Sequence, residues 1–333
     1  MKLDYFYRKT DIIQKNLRQL EVLKQALNLL PPLPHIERNL RRQSVLKSSL
    51  FSARIEGNRL NASDISFVNM ERKPANLAKL EIFNISRAIN FLYSSSGPAI
   101  LSKEFLLELH KRIMQNISPL AGVFRQEPSA IFNQAGVAIY LSPPPKDIPF
   151  LLEEFIKSIN SNINPIPVKA AISHFTFEKI HPFLDGNGRV GRLISTYILK
   201  NGASDFRGLV SLEEYLDNNR ESYYYLLNNQ EKDITPFVEF FLEGLMTQAE
   251  KTIEEIRNYK EERKVDALLP RRREILEVIQ NHQMVSFDFI RRRFMKIPES
   301  TLHYDLNKLS KGKFIRKLGN TRGAVYSANR EES

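Results

Sequence analysis

Apolar residues recur with a helical period over most of this chain. Between residues 11 and 30, Ile12, Ile13, Leu17, Leu20, Leu23, Leu27 and Leu30 return at helix-like spacing, and Pro31-Pro32-Leu33-Pro34 closes the stretch, so a helix is expected there. The same spacing predicts helices over about 36–57, 76–94, 102–116 and 147–160. Further helices are expected over the run holding Ala171, Ile172, Phe175 and Ile180, over Val190 to Leu199, and over 212–228. A long helix is expected over 234–262; from Glu250 to Lys264 the charges become dense and apolar residues few, as in a connector. In the middle of the chain, residues 129–145 hold two short β-prone runs around Gln134-Ala135-Gly136, which reads as a hairpin. From Arg271 the pattern changes again. A helix opens at Arg271 to Leu276, Ser286 caps a second through Arg293, and Pro298 starts a third that runs to about Ser310. Phe314 to Leu318, a Gly-Asn-Thr-Arg-Gly turn and Ala324 to Tyr326 follow. The expected fold class is mainly α, a helical bundle with a short β-hairpin and a separate small C-terminal domain.

The 333 residues suffice for a sizeable core and more than one unit. No apolar run approaches the ~18 residues of a membrane span, and Met1-Lys2-Leu3-Asp4-Tyr5 lacks a signal-peptide apolar region. No membrane partner is expected, and the expected location is cytoplasmic. The absence of Cys fits a reducing compartment and excludes a Cys-based metal site. The net charge of +11 is uneven: residues 271–330 hold fourteen Lys and Arg against five Asp and Glu, +9 of the total. Such a stripe is what a phosphate backbone attracts. Three helices and a hairpin resemble a winged helix-turn-helix. That resemblance implies DNA as a partner of residues 270–333, with the third helix (Ser300, Thr301, His303, Tyr304, Asn307, Lys308) as groove reader and Arg322 on the wing. Winged helices also mediate protein contacts, so homodimerisation is the competing use of the module.

The stretch His181-Pro182-Phe183-Leu184-Asp185-Gly186-Asn187-Gly188-Arg189-Val190-Gly191-Arg192 combines a base, a carboxylate, three glycines and two arginines. Without a Cβ, Gly186, Gly188 and Gly191 let backbone N–H groups approach an anion, and the helix that follows attracts negative charge at its N-terminus. Arg189 and Arg192, three apart, offer forked donors to phosphate oxygens. Asp185 is a hard oxygen ligand for Mg²⁺, which binds through one or two carboxylates plus nucleotide phosphates. Asn187 can hydrogen-bond phosphate, and His181 sits where it can take a proton from a hydroxyl. Taken singly, each of these has an ordinary structural use; no structural need asks for all of them in one register. A zinc site on His181 and Asp185 needs a continuous helix, which Pro182 and the glycines break.

The loop resembles the signature of the Fic family, H-P-F-x-D/E-G-N-G-R-x-x-R, at every defined position. The resemblance implies a Fic-fold helical bundle that transfers AMP from ATP, with Mg²⁺ as cofactor, to a Ser, Thr or Tyr hydroxyl of a protein substrate, which could be the chain itself. His181 would be the base, Asp185 the Mg²⁺ ligand, and Asn187 with Gly186 and Gly188 the α- and β-phosphate cradle. Arg189 would hold phosphate and Arg192 orient the γ-phosphate. Upstream, Ser52-Ala53-Arg54-Ile55-Glu56-Gly57-Asn58 resembles the family's inhibitory motif S/T-x-x-x-E-G/N. Ser52 and Glu56 share a helix face, Gly57 is a plausible helix stop, and the resemblance implies that Glu56 pairs with Arg192 and obstructs the γ-phosphate. The hairpin before the motif resembles the Fic flap, which implies target binding at Ile131, Phe132, Ile139 and Tyr140 by main-chain pairing. Gly122-Val123-Phe124-Arg125 matches the usual lead into that region.

The domains expected are 1–95, an N-terminal helical region with the inhibitory helix at about 44–57; 96–248, the catalytic core; 249–269, a charged helical linker; and 270–333, the winged module. Two other functions stay open at this point: a DNA-binding regulator with a nucleotide-sensing core, and a hydrolase that removes AMP, in which Glu56 would activate water.

Overall fold

The structure, a computed structural model, describes residues 4–29, 34–65, 74, 76–94, 100–132, 138–161, 163–266, 268–282, 284–319 and 324–329. It divides into two compact units, Met1–Ile253 and Glu254–Ser333.

The first unit is built from helices, the outer ones burying one face and the two central ones nearly all of theirs. Helix α1 (Asp11–Leu29) buries Ile13, Asn16, Leu20, Leu23 and Leu27, a three- or four-residue stripe. Helix α2 (Pro34–Ile55) carries the Ser52–Glu56 segment at its end, where Gly57 adopts φ +98° and Asn58 N–H returns to Ala53 O at 3.1 Å. After the short α3 (Ala62–Ile65) comes α4 (Leu77–Tyr93), capped by the Asn76 side chain on Lys79 N–H. Helix α5 (Lys103–Met114) is capped by Ser102. Strands β1 (Ala130–Phe132) and β2 (Ala138–Leu141) pair antiparallel with a register shift between Ile131 and Phe132; the turn at Gln134-Ala135-Gly136 lies outside the described residues. Helices α6 (Ile148–Ser161), α7 (Ile166–Ile180) and α8 (Asn187–Asn201) follow. The facing surfaces of α7 and α8 form the centre of the unit, with Val168, Ala171, Phe175, Phe177, Val190 and Ile194 wholly buried.

The helix expected over 212–228 is two, α9 (Leu212–Asn218) and α10 (Arg220–Leu227), because Asn219 leaves helical geometry at φ −117°, ψ 37°. Apolar periodicity survives such a one-residue break, so the spacing could not reveal it. Helix α11 (Thr235–Asp266) is long, as the spacing predicts, and its start is tied to the N-terminal segment: Phe6 pairs with Asp233, exchanging hydrogen bonds with Lys232 O and Ile234 N–H.

In the second unit, α12 (Pro270–His282), β3 (Met284–Ser286), α13 (Phe287–Arg293), α14 (Glu299–Lys311), β4 (Ile315–Leu318) and β5 (Val325–Ala328) enclose a core of Ile275, Ile279, Val285, Ile290, Leu302, Leu306, Leu309 and Tyr326. The sheet order is β3-β5-β4, all antiparallel. Strand β3 has no separate signal in the sequence, since three residues beside a capping Ser read simply as the start of α13. Arg322 lies outside the described residues.

Candidate functional site

The site forms where α7 ends and α8 begins. His181 caps α7 in the left-handed region (φ 49°, ψ 58°), with its N–H on Phe177 O at 3.0 Å. Pro182 cannot prolong the helix, so the chain turns sharply at the imidazole. His181 Nδ1 lies 3.3 Å from Glu178 O. A carbonyl only accepts, so Nδ1 carries the proton and Nε2 keeps its lone pair. Burial pushes the ring down to about 4, which keeps it neutral near pH 7.

The loop between the helices is held from inside. Phe183 is fully buried, and the Asn187 side chain takes both its backbone groups, accepting from the N–H at 2.9 Å and donating to the carbonyl at 2.8 Å. The Asn187 amide, expected on phosphate, thus gives its oxygen and one of its two N–H groups to the loop. The first turn of α8 opens at Gly186 (φ +86°) with no side-chain cap, a helix N-terminus of the kind that favours an anion. His110, stacked on Phe183 at 3.7 Å, accepts from Gly122 N–H at Nδ1 (2.8 Å). Its Nε2–H therefore donates to Asp185 O at 3.0 Å, and burial pushes this ring too down to about 4. Arg125, 3% exposed, donates Nε to His181 O (2.7 Å), Nη1 to Glu127 O (2.9 Å) and Nη2 to Pro143 O (2.5 Å). Arg125 thus ties the His181 carbonyl to the segments on either side of the two strands.

Both arginines of the loop are engaged by carboxylates. Arg192 is buried; its Nε donates to Ser52 Oγ (2.9 Å), and its Nη2 to Ser52 O (2.9 Å) and Glu56 Oε1 (2.8 Å). Burial opposes its charge, but the nearby Glu56 outweighs burial and raises the guanidinium above its ordinary value. A Cβ at Gly188 would overlap Glu56 Oε1. The Glu56 carboxylate therefore stands at the N-terminal turn of α8, where the helix dipole favours an anion. Arg189 donates Nη1 to Glu81 Oε1 (2.6 Å) and Nη2 to Asp185 Oδ1 (2.7 Å). Its fork, expected on phosphate, is occupied on both arms by carboxylates. Asp185 accepts Gly186 N–H on the same Oδ1 (2.6 Å), and its side chain is 64% exposed.

Beneath the loop, His174 is fully buried with Nε2 2.7 Å from Tyr223 Oη. Glu178, one turn before His181, is buried, and burial reinforced by Glu56 pushes its carboxyl up to about 8. Tyr224 Oη donates to Ile55 O at 3.0 Å, holding the end of α2.

Ile131, Phe132 and Ile139 lie in the paired strands, Ile131 opposite Tyr140. The Tyr140 side chain is 7% exposed and donates Oη to Lys179 O at 2.7 Å, so it faces the interior, while the main-chain pairing expected of this strand does not involve it. Burial pushes its hydroxyl up to about 12. Its neighbour Leu141 is 75% exposed, as strand alternation requires. Sequence reasoning missed Glu81, His110, Glu178 and Tyr224. They lie outside the motif and reach it only through folding, His110 from 75 positions away and Glu81 from 108.

No helix among the described residues is long and apolar enough to cross a membrane. Residues 100–199 match the Fic/DOC family. Over 249 residues, 70% of this chain, it is 27% identical to a protein adenylyltransferase Fic of Drosophila erecta and 26% identical to that of Drosophila melanogaster. The match covers 48% of each relative, so the chain spans about half the length of the curated relatives it matches. The fold resembles a Fic family protein from Desulfovibrio desulfuricans G20, with a TM-score of 0.67 and 21% identity over 98% of both chains. It also resembles Fic-1 (aa134–508) from C. elegans, with a TM-score of 0.61 and 23% identity over 74% of each. The catalytic-type loop, His181 to Arg192, lies inside the matched segment, and residues 100–199 of this chain form a Fic/DOC family domain.

Proposed function

We propose that the protein is an adenylyltransferase that moves AMP from ATP to a hydroxyl of a target protein, autoinhibited by Glu56 on Arg192. The observation that carries this reading is the Glu56 carboxylate bound to Arg192 beside Gly188, at the opening of α8. A carboxylate and a γ-phosphate compete for the same guanidinium and the same helix N-terminus. With Glu56 withdrawn, Arg192 would orient the γ-phosphate while the N–H groups of Gly186, Asn187 and Gly188 cradle the α- and β-phosphates. The target hydroxyl oxygen attacks the α-phosphorus as its proton passes to His181 Nε2; the bond to the α–β bridging oxygen breaks and pyrophosphate leaves. Asp185 fits Mg²⁺ as a lone carboxylate completed by phosphates: its two hydrogen bonds fall on Oδ1, and no cluster of three ligating residues occurs among the described residues. Mg²⁺ bound there would neutralise charge on the leaving pyrophosphate.

The test is intact mass after incubation of wild type, Glu56→Gly and Glu56→Gly/His181→Ala with ATP and Mg²⁺. Added AMP on the single variant only is expected. Loss of AMP from a pre-modified substrate by wild type, with no forward transfer by Glu56→Gly, would favour the hydrolase.

For the second unit we read a winged helix-turn-helix that engages duplex DNA. Beyond Glu299, which pairs with Arg291 at 2.6 Å, the exposed face of α14 is Ser300, His303, Tyr304, Asn307, Lys308 and Lys311, with no acid. Its remaining carboxylate, Asp305, is buried under Arg271 and Arg272. Binding of the full chain to random duplex should weaken steeply between 50 and 200 mM salt, as roughly six to ten phosphate contacts require. Salt-independent retention would overturn this reading, as would retention undiminished by Lys308→Glu/Lys311→Glu.

A further inference from the structure

Each motif arginine is gripped by a carboxylate from outside the motif, and the two grips are joined. Asn58 lies two residues past Glu56, where the chain leaves α2. Its Nδ2 donates to Glu81 Oε2 (2.8 Å) and Ala78 O (2.9 Å), and its Oδ1 accepts from Leu60 N–H (3.1 Å). Glu81 Oε1 takes Arg189 Nη1 at 2.6 Å, Arg189 Nη2 reaches Asp185 Oδ1 at 2.7 Å, and that oxygen accepts Gly186 N–H at 2.6 Å. An unbroken line of hydrogen bonds therefore runs from the inhibitory segment to the mouth of the loop.

We propose that Glu81 is a positioning residue of the nucleotide site, setting the Arg189 guanidinium, and that Asn58 couples this setting to the inhibitory segment. Arg189 and Glu81 are largely enclosed, their side chains 6% and 16% exposed. An enclosed ion pair adds little net stability over apolar residues of the same volume. A carboxylate supplies what an apolar residue cannot: it fixes the plane of the fork. With Nη1 held by Glu81, Arg189 meets Asp185 through Nη2 alone. Without Glu81, the freed fork can close on Asp185 with both arms and compete with a cation for it. Asn58 anchors the chain just past Glu56 to the same Glu81, so removing either tie loosens the placement of Glu56 on Arg192. The inference rests on the nucleotide-binding part of the function proposed above, so its test reads binding, not transfer.

The experiment measures ATP affinity, with Mg²⁺ and with EDTA, in the Glu56→Gly parent and in its Glu81→Gln and Glu81→Asp derivatives. Glu81→Gln should reduce the advantage conferred by Mg²⁺ about tenfold, the scale of one charge-assisted hydrogen bond, with partial rescue in Glu81→Asp. A merely structural ion pair would lower the melting temperature and leave that ratio unchanged, and this result would overturn the proposal. Asn58→Ala should raise ATP affinity several-fold when Glu56 is present and leave it unchanged in the Glu56→Gly parent. Equal effects in both backgrounds would remove the coupling. A parent that binds no ATP under either condition would instead sink the functional reading itself, and the proposal with it.

Discussion

Glu56 Oε1 lies 2.8 Å from Arg192 Nη2, joining the end of α2 to the first turn of α8 across 136 positions of sequence. Ser52, one turn earlier, holds the same guanidinium through its hydroxyl and its carbonyl. Gly188 leaves the room that Glu56 occupies. Under the function proposed above, the carboxylate would compete with a phosphate for this helix N-terminus. Glu56→Gly is expected to raise ATP affinity and self-labelling by at least roughly tenfold, the loss of one charge-assisted pair. Calorimetric titration with ATP and Mg²⁺ checks this; unchanged affinity would mean that Glu56 does not obstruct the nucleotide.

The buried His181 ring, pushed down to about 4, gives a pH profile with a definite sign. A base works when neutral, and a lowered value extends the neutral form towards acid. Transfer by Glu56→Gly should stay flat from pH 8 to 6 and fall only as pH approaches the cited value, whereas an ordinary imidazole would lose half its activity near 6.5. His181→Ala should abolish transfer while nucleotide affinity stays within about twofold. Transfer retained by that variant would end the assignment of the base.

Glu178 works in the opposite direction. Its carboxyl, raised to about 8 by burial and by Glu56, keeps its proton in the folded chain while the unfolded chain releases it above the ordinary 4.5. The stability associated with the protonated form is complete below 4.5 and is lost as pH rises towards 8. Gln cannot ionise, so Glu178→Gln should melt higher than wild type by a margin that grows from pH 5 to pH 8, by about 2–4 °C for each kcal/mol. An equal margin at both pH values would show that the folded carboxyl is already ionised.

Tyr140→Phe removes the donor to Lys179 O and leaves a buried carbonyl unsatisfied, at a cost of about 1 kcal/mol. The strand then loses a tether to the end of α7 beside the base. Transfer to a protein target should fall several-fold while the dissociation constant for ATP holds. If ATP binding falls in parallel, the bond supports the loop as a whole and not the placement of the target.

Local pattern carried much of this protein. The helical stripe of α1, the caps at Ser286 and Gly57, and the glycine-rich opening of α8 follow from rules that act over one or two turns, and each is present. Where a side chain points is not a local property. The Asn187 side chain holds both backbone groups of Phe183, and the Tyr140 side chain turns inward to Lys179 O. Strand alternation allowed either face to be the outer one, and only packing against α7 selects between them.

By itself the sequence determined the helical character, the loop between α7 and α8 and its family, and the charge of the second unit, because period, turn chemistry and composition are local quantities. Tertiary structure alone decided that Glu81, His110 and Arg125 brace that loop and that Glu81 holds Arg189. These contacts form between residues 56 to 108 positions apart. No local rule registers such pairs; the packing of α2, α4 and α5 around α7 and α8 brings them within hydrogen-bonding reach.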